Sequence, residues 1–369
     1  MSIDLSKLEL SASMEITRIA NDKKQNGEEV FTLSIGDTHF PLPESISKRF
    51  NKLPDLSSHY SSGQGIYDLR RSISKEYYGY LPENVLVVPG LKQGFFYALE
   101  AISENKLVVL EPAWLGYKAT ATLSGYDYLG INSYEYNWLS KLSLADIDVL
   151  LLCEPNNPDG RLFTKDSLIK IRTIVEEKKS WVILDIIYER FLYDENVSEL
   201  LNLFSDYPKL IIGNGFSKSH AMTGFRLGYL LSKNQYLINL MVKIQQNLAT
   251  CPSTFAQYLI APDINPSEIN DYSKYYSNNR TEVLNIFPEW KQFIPDGGFY
   301  YFVDLRIYDI LDAENFCLFA INKHGIALVP GVAYGSDFNS YVRVSFSLET
   351  KTLIKGLKKL KIIISLYNE

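Results

Sequence analysis

Short apolar, β-branched runs alternate with stretches of helical period through the middle of the chain. The runs are NVLVVPG (84–90), KLVVLEP (106–112), DVLLLCEP (148–155), WVILDIIY (181–188), KLIIGNG (209–215) and FRLGYLLS (225–232). Between them lie segments such as FFYALEAISEN (95–105) and KDSLIKIRTIVEEKK (165–179), whose apolar residues recur at helical spacing. Strands that are apolar throughout are expected in a parallel sheet covered on both faces. The alternation therefore predicts an α/β domain over residues 46–255, with a mostly parallel central sheet and helices on both faces. From residue 256 the pattern changes. A long helix ending in NNRTEVLNIF (278–287), strands GGFYYFVDL (297–305) and YVRVSFS (341–347), and a closing helix LIKGLKKLKIIISLY (353–367) predict a smaller α+β domain. Residues 1–45 are expected to join that domain, so it comprises 1–45 and 256–369, and ligands are expected where the two units meet.

Composition narrows the function. The 369 residues are 46% hydrophobic and 22% charged, ordinary for a globular protein with a large core. A formal charge of -6 and the lack of a basic stripe with interleaved aromatics argue against nucleic acid or an anionic membrane as partner. The basic run KGLKKLK reads as the solvated face of the last helix. No stretch reaches the roughly 18 apolar residues of a membrane span, and the polar, acidic N-terminus is unlike a signal peptide. Cys153, Cys251 and Cys317 are odd in number and far apart. They suggest neither a disulfide framework nor a zinc site, no metal is expected, and a reducing, cytoplasmic location is.

Most of the candidate segments lie at the C-terminal end of a predicted strand, the edge where open α/β sheets bind ligands. PGLKQG (89–94) is a glycine turn opening a helix, either a plain connection or an anion seat made of backbone N–H groups. Trp114 in EPAWLGY (111–117) can pack in a core or stack on a flat ring. Asn157 in EPNNPDG (154–160) offers an amide. Asp185 ends an apolar strand, with Tyr188 three residues on. It is either a helix N-cap or a buried acid that needs a cationic partner. Lys218 sits among small residues in GNGFSKSHAMTGFRLGY (213–229), and Arg226 lies in an otherwise apolar stretch. Arg343 lies inside a strand, either exposed or set to hold a carboxylate. An aromatic, an acid, a phenol, an amide, a phosphate seat and an amine together suit a phosphorylated pyridine aldehyde. Such a ring serves as an electron sink when an acid keeps its nitrogen protonated.

Those segments, together with IGDTHFPLP (35–43), HYSSGQGIYDLRRSI (59–73) and VPGVAYG (329–335), occur in one order along nearly the whole chain. In that order they resemble the fold-type I, pyridoxal 5'-phosphate-dependent enzymes of the class I/II aminotransferase family, of the aspartate/aromatic aminotransferase kind. NGFSKSHAMTGFRLGY is the most specific segment. The resemblance implies an aminotransferase that moves an amino group between an L-amino acid and a 2-oxo acid. Lys218 would form the Schiff base and, once displaced, move the proton from Cα. Asp185 would pair with the pyridine nitrogen, Tyr188 and Asn157 would bond the ring oxygen, and Trp114 would stack on the ring. Arg226, the backbone at Leu91 and Lys92, and Ser217 would hold the phosphate, with Tyr60 reaching it from the second subunit of a homodimer. Arg343 would clamp the substrate carboxylate, with Gly36, Asn157 and Trp114 beside it.

Three departures leave the substrate open. Asp159 stands where the family has threonine, His39 sits beside the substrate entrance, and TCPSTFAQYLIAP (250–262) lacks the arginine of some dicarboxylate-specific members. Lys92 offers another contact for an acidic side chain, with Ser13 in support; it can equally serve only the phosphate loop. Other reactions on the same scaffold are alternatives: a C–S lyase, decarboxylase, cyclising synthase or oxidase, in a specialised biosynthetic pathway among others. A regulatory domain is disfavoured because the chemical positions are intact, and a dehydrogenase because no dinucleotide fingerprint follows the first strand.

Overall fold

The computed structural model describes residues 12–193 and 198–367. Its centre is a seven-stranded sheet made of β2 (Val85–Val88), β3 (Lys106–Glu111), β4 (Asp127–Asn132), β5 (Val149–Cys153), β6 (Trp181–Asp185), β7 (Leu210–Gly215) and β8 (Gly228–Leu231). The order across the sheet is β2-β8-β7-β6-β5-β3-β4. Only β8 runs against its neighbours, β2 and β7; the pairs from β7 to β4 are all parallel. All six apolar runs of the sequence lie in this sheet. The edge strand β4, DYLGIN, was not among them. It is half solvated, alternating exposed and partly buried positions, so it carries no continuous apolar signal.

The two faces of the sheet follow from the period of two in a strand. Val85, Val87, Leu150, Leu152, Val182 and Leu184 pack into a core on one side. Leu86, Val88, Val149, Leu151, Ile183 and Ile211 pack into a second core on the other. Helices cover both. Leu91–Ile102 and Gln235–Leu248 contribute to the second core, and Lys165–Lys178 to the first, its start capped by the Thr164 hydroxyl.

A third core joins chain segments distant in sequence. It gathers Ile16 and Ala20 of helix Ala12–Gln25, Phe31 of β1 (Phe31–Thr32), Tyr276 and Val283 of helix Glu268–Ile286, and Leu353, Leu357 and Leu360 of helix Thr350–Tyr367. Its sheet consists of β9 (Tyr300–Asp304), β11 (Val329–Pro330) and β12 (Tyr341–Ser345), all antiparallel. β1 pairs in parallel with β10 (Ile326–Ala327). Lys355, Lys358 and Lys361 are exposed on the closing helix, opposite its buried leucines. Helix Thr254–Ile260 packs its Ala256, Leu259 and Ile260 into the first core. Among the described residues no helix is long and apolar enough to cross a membrane. Cys153 and Cys317 are buried and free, and Cys251 is free and half-buried.

Candidate active site

The C-terminal ends of β5, β6 and β7 and one face of the small antiparallel sheet enclose a cavity of about 490 Å³. From the large sheet it receives Asn157, Asp185, Tyr188, Ser217, Lys218 and Arg226, and from the helix start after β2 it receives Leu91 and Lys92. Trp114, Gly36 and Arg343 complete the expected set that lines it. Tyr60 and His39 do not. Tyr60 is 85% exposed on this chain, and the His39 ring is exposed with its Nδ1 at 3.1 Å from the Tyr276 hydroxyl. Ser13 lies outside the residues whose side chains are described.

Asp185 ends β6 because VIL before it is buried on both faces of the sheet, which carries the carboxylate to 4% exposure. Its Oδ2 accepts from the Tyr117 hydroxyl at 2.6 Å and its Oδ1 from the Ile187 N–H at 3.1 Å. Burial raises its pKa to about 6, against these two hydrogen bonds and the charge of Lys218. Lys218 answers in the opposite sense. Burial lowers its pKa to about 8; Asp37 works against that effect, while Arg343 and Arg226 reinforce it. Its Nζ donates to the Gly36 carbonyl at 2.5 Å. The acid and the amine are thereby both moved toward neutral pH, where an acid–base pair works best.

The anion seat is built from backbone. Gly90, at φ +84°, precedes the helix Leu91–Ile102 and takes a conformation that suits glycine alone. A Cβ at Gly90 would lie 2.2 Å from Arg226 Nη2, so the guanidinium rests directly on the glycine. Arg226 Nη1 donates to the Thr223 carbonyl at 2.9 Å. First-turn N–H groups and a guanidinium thus meet at one helix end. Trp114 packs its six-membered ring over Gly116, where a Cβ would come within 2.4 Å, and stands edge-on to Tyr117 at 5.2 Å. Lys92 Nζ lies 5.1 Å from the Trp114 ring.

Opposite this wall, Arg343 is buried in β12. Its Nη1 donates to Asn157 Oδ1 at 3.1 Å and its Nη2 to the Ser34 carbonyl at 2.8 Å, while the Tyr300 ring lies 4.1 Å below. Its Nε is buried without a hydrogen-bond partner. The bonded acceptors are neutral, so a buried charge without an anionic partner stands in the cavity wall, which suits a carboxylate. Tyr188 donates to or accepts from Tyr300 at 3.1 Å, and burial keeps its phenol far above its ordinary pKa.

Pyridoxal 5'-phosphate fits this donor set. The seat at Gly90–Lys92 and Arg226 suits a phosphate, Asp185 lacks a full cationic partner at bonding distance, and Lys218 supplies a buried amine. Several lining residues had no expected role: Asp37, Tyr117 and Tyr300 lie within the segments that carry the resemblance, while Ser34 and Thr17 gave no signal of their own. Asp159, by contrast, stays out of the cavity. Its carboxylate is buried and bonded to Tyr134, Asn156 and Arg161.

Comparison with known proteins gives a consistent picture. A family model described as "Aminotransferase class I and II" matches residues 28–360. An aspartate aminotransferase of Thermotoga maritima is 29% identical over 97% of this chain and 97% of its own. Aromatic-amino-acid aminotransferase 2 of Thermococcus litoralis is 28% identical over 96% of each. The crystal structure of a Thermotoga maritima aspartate aminotransferase superposes with a TM-score of 0.89 at 26% identity, covering 100% of both chains.

Proposed function

The chain belongs to the class I and II aminotransferases, pyridoxal 5'-phosphate-dependent enzymes of fold type I, and from that premise we propose how its own residues divide the work. The observation that carries the reading is the meeting, in one cavity, of the Lys218 amine, the Asp185 carboxylate, the Arg226 seat and Arg343. When bound, the cofactor supplies an aldehyde that condenses with amines and a pyridinium ring that withdraws electrons from Cα–H. Lys218 would be the amine that holds the aldehyde group, and the base for the Cα proton once substrate takes its place. A pKa brought down to about 8 leaves about a tenth of that amine unprotonated, and so able to accept a proton, at pH 7.

Asp185 holds the ring nitrogen protonated, and Tyr117 aims the carboxylate. Asn157 and Tyr188, which line the same cavity, would bond the ring oxygen, and Trp114 would pack against the ring. Arg226, the Leu91 and Lys92 backbone and Ser217 hold the phosphate. Arg343 binds the substrate α-carboxylate, with Gly36 beside it. The exposed position of Lys92 in the cavity wall supports a contact with an acidic substrate side chain, while His39 packs against Phe40 and Tyr275 outside the lining. Tyr60, exposed here, would complete the phosphate site of a second copy in a cytoplasmic homodimer. The division into residues 46–255 and 1–45 with 256–369 follows the third core in the main, although that core also takes in Tyr188, Phe191 and Tyr193 of the larger unit. Helix Thr254–Ile260 straddles that border.

The reaction class is tested with cofactor-loaded protein and one amino acid at a time, without an oxo acid. The expected result is keto acid in an amount equal to the enzyme, with turnover resuming when a 2-oxo acid is added. Ammonia, carbon dioxide or pyruvate released without an acceptor would show a lyase, decarboxylase or oxidase instead.

A further inference from the structure

Asp37 belongs to the segment between β1 and the helix Glu44–Ser47, and it lines the cavity close to Lys218. Both its carboxylate oxygens are used. Oδ1 accepts from the Thr38 N–H at 2.8 Å and Oδ2 from the Thr223 hydroxyl at 2.8 Å. Its carbonyl accepts from the Ser347 hydroxyl at 2.6 Å, two residues beyond the strand that bears Arg343. The preceding Gly36 carbonyl receives Lys218 Nζ at 2.5 Å. The Thr223 carbonyl in turn receives Arg226 Nη1 at 2.9 Å. One residue therefore ties the 35–40 segment to the turn that delivers Arg226 and to the end of β12.

We propose that Asp37 is a positioning residue for the Lys218 amine: bridging to Thr223, it fixes the Gly36 carbonyl that receives the amine whenever that amine is free. The proposal rests on the reading of Lys218 as the cofactor-bearing lysine. A lysine side chain has four rotatable bonds, and a base displaced by about 1 Å can lose roughly a hundredfold in rate. A fixed acceptor at Gly36 limits that loss, and an unanchored loop would not provide one. The charge matters as well as the bridge. The charged groups facing Lys218 are Asp37 from this segment, Asp185 at the end of β6, Arg343 on β12 and Arg226 beyond Thr223, while the phenols of Tyr188 and Tyr300 line the same cavity. Asp37 itself faces Lys218, Tyr276 and Tyr300. Of the charges that act on Lys218, it is foremost in favouring the protonated amine.

Three variants separate bridge from charge in the cofactor-loaded enzyme. D37N can keep both hydrogen bonds, with its amide oxygen toward Thr38 N–H and its NH₂ toward Thr223, but it loses the charge. T223V keeps the charge and cuts the bridge. D37A loses both. The expected results are a kcat lowered roughly ten- to a hundredfold in D37A, with KM for the amino donor changed far less, and a fall in the same direction for T223V. The pH midpoint of the holoenzyme's visible absorbance, which reports protonation at the Lys218 nitrogen, should move to lower pH in D37N and stay in place in T223V. D37N and T223V carry the test if D37A does not fold. A wild-type kcat in D37A and T223V, or an unmoved midpoint in D37N, overturns the proposal. Persistence of the visible band in K218A would instead overturn the reading of Lys218 itself.

Discussion

Asp159 and Asp185 are both buried to 4% exposure; the first lies in the loop after β5 and the second ends the adjacent strand β6. Their surroundings differ in one respect. Asp159 has a cation: Arg161 Nε donates to it at 2.6 Å, the Arg161 backbone at 3.2 Å, and the neutral Tyr134 and Asn156 at 3.0 and 2.8 Å. The guanidinium lies 4.0 Å from the Tyr134 ring, so the acid and its counter-charge are packed as one unit. Asp185 bonds only to neutral donors, Tyr117 and the Ile187 N–H, and its pKa climbs to about 6 under burial. A buried charge without a partner is costly, and a fold keeps one where a ligand completes it. The first acid serves the structure and the second waits for a cation such as a pyridinium. Arg343 is in the same condition with the opposite sign, since it is buried and its hydrogen bonds go to the neutral acceptors Asn157 and Ser34.

The comparison breaks if the two acids respond alike to the same substitution. D185N is expected to lower kcat by roughly a hundredfold or more, the scale of losing a preorganised charge in an active site. Its effect on the cofactor-free fold runs the other way. The folded-state pKa is raised from 3.8 to about 6, so the stability Asp185 contributes is whole below pH 3.8 and lost as pH rises through 6. Removing the charge should therefore raise stability above pH 6 by up to about 3 kcal/mol, measured by denaturant unfolding, with little effect in acid. D159N should do the reverse. It is expected to cost about 2 kcal/mol of stability, less than a fully buried pair because Arg161 is half exposed, and to leave kcat within a few fold. Matching losses in both variants would erase the distinction between the two sites.

The cationic side sharpens it. Gly90→Ala adds a methyl group 2.2 Å from Arg226 Nη2 at a backbone angle suited to glycine, so cofactor affinity should drop at least about tenfold, or 1.4 kcal/mol. Titration of the cofactor-free protein measures it, and unchanged affinity would mean that Arg226 does not sit at the phosphate. Smaller still is Lys92→Gln. KM for an acidic amino donor should rise several-fold, on the order of 1 kcal/mol, while KM for neutral donors is unchanged. An equal change for both classes would assign Lys92 to the phosphate loop alone.

Much of this was legible in the sequence, for a local reason. Lys218, Asp185, Asn157 and Arg226 lie at the ends of apolar runs, and a polar residue that ends a buried strand is visible without knowing its neighbours. What a residue meets across the fold is not visible. Tyr117 reaches Asp185 over 68 positions, Tyr300 reaches Tyr188 over 112, and Asp37 reaches Thr223 over 186, so none stands out in its own segment. Asp159 shows the converse. In the sequence it is only a departure from the family's threonine, and its partner Arg161 becomes evident once the fold sets the two together. Strand β4 was hidden because an edge strand with one solvated face lacks the apolar run that marks the other six.

The account turns on Lys218 as the amine that meets the cofactor. Borohydride reduction of the yellow holoenzyme, followed by digestion and mass spectrometry, tests this directly. The account predicts one modified peptide, carrying the reduced cofactor on Lys218, and neither modification nor visible band in K218A. The cofactor fixed on Lys92 or another lysine, or a band that survives in K218A, would contradict it.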